Sequence, residues 1–147
     1  MQTVGITLVL LASLSASPSK LVSLDVDEGP IESGKTLKME FREIERRGDE
    51  STIHVKFHSG GSVSSSMFIV KGSCAIAKSR AAKYFRQTSE SETADGAWVY
   101  TVAFANTPDA KSLKIPSPPA KPTEGEDEAL ANGVFSDSDC LMLGFAK

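Results

Sequence analysis

Over much of the chain apolar and polar side chains alternate with a period of two, as they do in strands with one face turned to a core. In residues 35–44, Leu37, Met39 and Phe41 alternate with Lys38, Glu40 and Arg42, which predicts a half-buried strand. Residues 46–50 then read as a turn, with Gly48 where a positive φ is needed. Past it, Ile53, Val55 and Phe57 fall on one face and His54, Lys56 and His58 on the other, completing a hairpin. Upstream, residues 21–26 form a short leading edge strand, stopped by Glu28, Gly29 and Pro30.

A second hairpin carries the strongest local signal. Residues 85–93 are strand-like, Asp95-Gly96 supplies a two-residue turn, and Trp98, Tyr100, Val102 and Phe104 alternate after it. On the other face of that returning strand Ala97, Val99, Thr101 and Ala103 are small enough for a helix to pack there. The aromatic face then needs its own cover.

Between the hairpins the period changes. Met67, Val70, Cys74, Ala77 and Ala81 recur at steps of three and four, predicting a helix that starts near Ser64 or Ser65 with a serine cap. Gly72 costs that helix about 1 kcal/mol relative to Ala. With Ala75, Ala77 and Ala81 it also gives a small-residue stripe suited to close packing on a sheet. Residues 116–122, PSPPAKP, are an extended connection. Thr123 and Glu126 have capping-box spacing, predicting a short helix over about residues 124–131 that ends at Asn132 and Gly133. Residues 139–146 are apolar on both faces and read as a buried strand. The expected fold is a single α+β domain over residues 18–147, an antiparallel sheet of about five or six strands covered by one main helix, with a Pro-rich connection at residues 106–123.

Composition narrows the class without naming a reaction. The chain has 147 residues, 40% hydrophobic and 24% charged, as one globular domain requires. Its net charge of −3 argues against a nucleic-acid binder held by bulk charge. Residues 4–14 are apolar and uncharged, and Ser13, Ser15, Ala16 and Ser17 follow, so residues 1–17 read as a secretory signal peptide. That run is too short for a transmembrane span. The alternative is a buried N-terminal strand, since Val4, Ile6, Leu8 and Leu10 alternate with Gly5, Thr7 and Val9. Cys74 lies in the predicted helix and Cys140 in the predicted last strand, and neither belongs to a CxxC motif. In an exported domain two such cysteines form a disulfide; in a cytoplasmic one they are buried thiols.

No catalytic, cofactor or metal set is expected. His54 and His58, the two histidines, sit about 13 Å apart on a strand and cannot share an ion. The loop HSGGSVSSS, residues 58–66, precedes a helix N-terminus that favours an anion, but it lacks the lysine and spacing of a phosphate-binding loop. It reads as a connection with an N-cap. Residues 1–86 hold twelve basic and nine acidic side chains, and residues 87–147 hold four and ten. Lys71, Lys78, Arg80, Lys83 and Arg86 follow one another with no acid between them, a candidate surface for a protein partner or an anionic envelope component such as lipid or polysaccharide. The alternative is screening by the acidic residues 124–128.

Over residues 53–87 the chain resembles small bacterial envelope lipoproteins of unassigned function, through Val55, Phe57 and Gly60 and then Arg80, Ala81, Ala82, Tyr84 and Phe85. The resemblance implies an envelope location and no assigned activity. No lipid-attachment cysteine follows the apolar run, and the R-A-A stretch falls late in the helix. The leading functional expectation is an exported, periplasmic or extracellular, non-enzymatic binding or structural protein of the cell envelope. Two others follow: an inhibitor or immunity protein that inserts residues 58–66 or the Asp95-Gly96 tip into a secreted hydrolase, and a hydrolase using a serine near His58.

Overall fold

The computed structural model describes residues 19–28 and 36–145. The sequence-predicted signal peptide lies outside them. Six strands are present among these residues: β1 (Ser23–Glu28), β2 (Leu37–Arg47), β3 (Glu50–Ser59), β4 (Tyr84–Glu92), β5 (Trp98–Ala105) and β6 (Val134–Ser136). They form one sheet in the order β1-β2-β3-β5-β4-β6, with every neighbouring pair antiparallel. The long helix α1 (Ser62–Arg80) carries the chain from β3 past one position to β4, and β5 returns into the gap. Two short helices follow, α2 (Glu128–Ala131) and α3 (Asp137–Met142). The architecture is the expected α+β one, an antiparallel sheet with one main helix.

The register explains which face is core. Phe41 pairs with Val55, Ile53 with Tyr100, Ser51 with Val102 and Phe85 with Phe104, and directly paired residues project to the same side. That side meets α1, which contributes Phe68, Cys74, Ile76 and Ala77 to the same buried cluster. Phe41 and Phe68 meet edge to face at 6.4 Å between ring centroids. Full burial of side chains such as Phe41, Met39, Ile53 and Ile76 contributes about 2 kcal/mol each.

The helix therefore covers the aromatic face of β5, not the small-residue face. Tyr100, Val102 and Phe104 are core, and Trp98, half-buried, stacks on Tyr100. The opposite face is covered in part by residues 106–123. Ala103 pairs there with Glu50 on one side and Arg86 on the other. The Lys114 ammonium meets Glu50, its carbonyl accepts from Arg86 at 3.0 Å, and neighbouring Leu113 is fully buried.

Four further expectations are corrected. The helix begins at Ser62, and its N-cap Gly61 makes no side-chain cap bond; Ser65 and Ser66 instead donate back to the Gly61 and Ser62 carbonyls. Phe57 is 44% exposed because the pairing of β3 with β5 ends at Val55 and Trp98, so Phe57 lies beyond the end of β5 with a strand neighbour on the β2 side alone. Residues 139–146 are not a buried strand. Cys140 is in α3, and Leu141 and Met142 are exposed. The Ser136 hydroxyl accepts from the Asp139 N–H at 3.1 Å while the Asp139 carboxylate accepts from the Ser136 N–H at 2.7 Å, a reciprocal cap that starts a helix there. Capping at Asp127 likewise starts α2 at Glu128, later than the Thr123–Glu126 spacing suggested.

Candidate functional site

The end of α1 and the start of α3 meet in an open groove of about 480 Å³. Local backbone chemistry sets its shape. At the end of α1 the Ala82 N–H donates to the Ala77 carbonyl at 2.9 Å and the Ala81 N–H to Lys78 at 3.1 Å, a Schellman arrangement that puts Ala81 in the left-handed region at φ 54°. The Lys83 N–H then docks on the Ala105 carbonyl, and the Lys83 carbonyl accepts from the Asp137 N–H at 2.9 Å, which fixes the first residue of α3 beside the end of α1. The Cys74–Cys140 disulfide ties the two helices from below, with Cα atoms 5.9 Å apart.

Buried Cys74, Ala77 and Cys140 form the floor of the groove, and half-buried Ala82 extends it. Exposed Ala81 and Leu141 make an apolar rim, and Lys78, Lys83 and Asp137 place two cations and one anion at the edge. The Asp137 carboxylate accepts the Ser138 N–H at 2.9 Å within the first turn of α3.

The five basic residues read from the sequence as one surface are separated. Lys71, Lys78 and Lys83 are exposed. Arg80 turns inward: its guanidinium donates to the Ser51 hydroxyl, the Gly48 carbonyl and the Glu50 carbonyl, and lies 4.9 Å from the centroid of the Phe104 ring. Arg86 lies on the opposite face of the sheet and donates to the Asn132 carbonyl at 2.8 Å and the Lys114 carbonyl.

Arg80 belongs to a polar cluster that the sequence did not single out. Its centre is Glu43, 3% exposed, which accepts a forked pair from Arg46 at 2.8 and 2.6 Å, the Ser51 hydroxyl at 2.6 Å and the Val22 N–H at 2.9 Å. Burial pushes the Glu43 carboxyl up, but these donors outweigh it and hold the group below its ordinary value. The Arg80 guanidinium is shifted down by burial and by nearby Arg46. Every polar atom here has a partner, so the cluster is a structural tie between β1, β2, β3 and α1.

The histidines stand apart from this cluster and from the groove. His58 Nε2 lies 3.0 Å from Glu40 Oε1 on the exposed face, and His54 sits half-buried opposite Val99. Among the described residues no group of three His, Cys, Asp or Glu converges as a metal site, and no helix is long and apolar enough to cross a membrane. No protein-family model, curated protein or solved structure matches the chain.

Proposed function

We propose that the protein is exported and acts without catalysis, as a binding or structural protein of the bacterial cell envelope, periplasmic or extracellular. The observation that carries this reading is the Cys74–Cys140 bridge, which joins residues 66 apart and fastens the last helix to the main one. Such bridges persist in oxidising compartments and are rare in the cytosol. The apolar run at residues 4–14 and the resemblance over residues 53–87 point the same way. Against the hydrolase reading, the Ser65 and Ser66 hydroxyls donate to the Gly61 and Ser62 carbonyls at the start of their own helix, not to His58.

Intact mass of the natively expressed protein in separated cell fractions tests the proposal. The expected species is a chain shortened at its N-terminus, two hydrogens lighter than its reduced form and outside the cytosol. A full-length, fully reduced chain in the cytosol overturns it.

A further inference from the structure

We infer that the groove between α2 and α3 docks a basic segment of a partner protein, with one large apolar side chain seated between Leu130 and Met142 and lysines or arginines on both sides of it against Glu126, Asp127, Asp137 and Asp139. The inference rests on the binding-protein reading and gives it a surface and a partner class.

The apolar part of the surface comes from two short helices. α2 precedes and α3 follows β6, the edge strand beside β4, and between them lies an open groove of about 520 Å³ with buried Val134 of β6 in its lining. Leu130 on α2 is 50% exposed and Met142 on α3 is 80% exposed, and both line it. They are not scattered cases. Among the described residues eight large hydrophobic side chains are exposed, and four of them, these two with Leu141 and Leu143, fall between residues 130 and 143. Apolar groups gathered in this way inside a polar rim mark a contact surface.

Charge selects the occupant. Four carboxylates line the same groove, and among the described residues no lysine, arginine or histidine does. Their hydrogen-bond donors are neutral, so their charge stands: the Thr123 N–H and hydroxyl donate to Glu126, the Ala129 N–H to Asp127, the Ser138 N–H to Asp137, and the Ser136 N–H and hydroxyl to Asp139. The sequence extends the imbalance, because residues 122–146 hold six acidic side chains and no basic one. An anionic bilayer is repelled by such a surface, and a two-fold contact with a second copy would set the same carboxylates against one another. A single ammonium head answers one carboxylate, whereas these are divided between the start of α2 and the first turn of α3. A polypeptide with several cations around an apolar anchor meets both walls and the apolar pair together.

Fluorescence anisotropy of the labelled, end-capped peptide Lys-Arg-Leu-Phe-Arg-Lys with the oxidised full chain tests the surface. Saturable one-to-one binding is expected, weakened at least about fivefold between about 0.02 and 0.3 M salt. Glutamine in place of all the cations, or serine in place of the Leu-Phe pair, weakens it at least about tenfold. Glu126→Gln with Asp137→Asn keeps both hydrogen-bond acceptors and removes two charges; the pair weakens the basic peptide about tenfold and leaves the melting temperature near that of the parent. Met142→Ser, at an exposed position, does the same through the anchor. Lys71→Gln, on an exposed part of α1 outside the groove, changes nothing.

Absence of saturable binding, equal affinity for the basic and glutamine peptides, or indifference to both the charge pair and Met142→Ser overturns the inference. Decyltrimethylammonium that binds as tightly as the peptide below its micellar concentration overturns it in favour of a small cationic amphiphile. Met142-dependent self-association in sedimentation overturns it in favour of a second copy. Any of these results obtained with a shortened, disulfide-bonded chain outside the cytosol removes the partner and leaves the export reading in place. The expected binding by a chain found full-length and reduced in the cytosol keeps the surface and removes the compartment.

Discussion

Gly72 of α1 lies against the ring of Phe41 of β2 so closely that a Cβ on the glycine would sit 2.4 Å from two of the ring's carbons. Phe41 is fully buried, held by Phe68 on one side and the sheet beneath, so the ring cannot swing away. Intrinsic propensity alone would make Gly72→Ala stabilising by about 1 kcal/mol. Overpacking dominates here, and the substitution should cost about 1–3 kcal/mol net. Urea denaturation measures this, and Phe41→Leu in the same chain should recover part of the loss because the two positions share one contact. A more stable Gly72→Ala protein would mean that α1 does not approach the sheet at this point.

Glu43 gives the fold a defined acid sensitivity. Its carboxyl titrates below its unfolded value, so its contribution is complete above about pH 4.5 and is lost as pH falls through the lower, folded value. Stability measured by denaturation should therefore decline below about pH 4.5, and Glu43→Gln should flatten that part of the profile. Glu43→Ala is harsher, since it leaves the Arg46 guanidinium and the Ser51 hydroxyl without their acceptor. It should cost about 3 kcal/mol at neutral pH. A pH profile unchanged in Glu43→Gln would show that other carboxylates set the acid limit.

This cluster also shows where sequence reading stops. Glu43 and Arg46 are three apart in a strand, which ordinarily puts them on opposite faces, but a bulge between Glu43 and Glu45 pushes Ile44 out of register. Glu43 then pairs with Ile53 and Arg46 with Ser51, and both acid and base face the helix. Nothing in the local pattern marks the bulge. The two hairpins were legible because Gly48 and Asp95-Gly96 punctuate clean alternation. The disulfide partners were legible from their number. The groove was not, because it depends on α3, and the apolar residues 141–143 masked the Ser136–Asp139 cap that begins this helix. That spacing was visible in the sequence and outweighed by hydrophobicity. The basic run at residues 71–86 failed as a surface for a different reason: Arg80 ends up under the helix and Arg86 on a strand whose side chain points the other way.

The bridge between Cys74 and Cys140 closes a 66-residue separation, for which chain-entropy arguments give stabilisation of roughly 4 kcal/mol. Its structural reach is narrower than that figure suggests. Beyond the bridge, α3 is held by its own cap and the Asp137–Lys83 bond. A Cys74→Ser, Cys140→Ser chain should melt lower, and hydrogen exchange should show loss of protection first at residues 140–145 while β2, β3 and β5 remain protected. Equal melting of the two forms would show that the loop is already constrained without the bond.

Arg86 is the last tie, and it acts on the face of the sheet away from the helix. Its guanidinium donates to the Asn132 carbonyl at 2.8 Å and the Lys114 carbonyl at 3.0 Å. Asn132, itself buried, accepts the Ala120 N–H at 2.7 Å and donates to the Glu128 carbonyl at 2.9 Å. One arginine thus fastens both the Pro-rich segment and α2 to β4. Arg86→Ala should cost about 1–3 kcal/mol through the carbonyls it leaves unmet. The sharper readout is trypsin cleavage after Lys111 or Lys114, which should accelerate under native conditions because the segment opens without global unfolding. Arg86→Lys should rescue only in part, since a single ammonium cannot span two carbonyls as the planar fork does. Unchanged cleavage in Arg86→Ala, with global stability reduced, would mean that Leu113 burial alone keeps the segment closed.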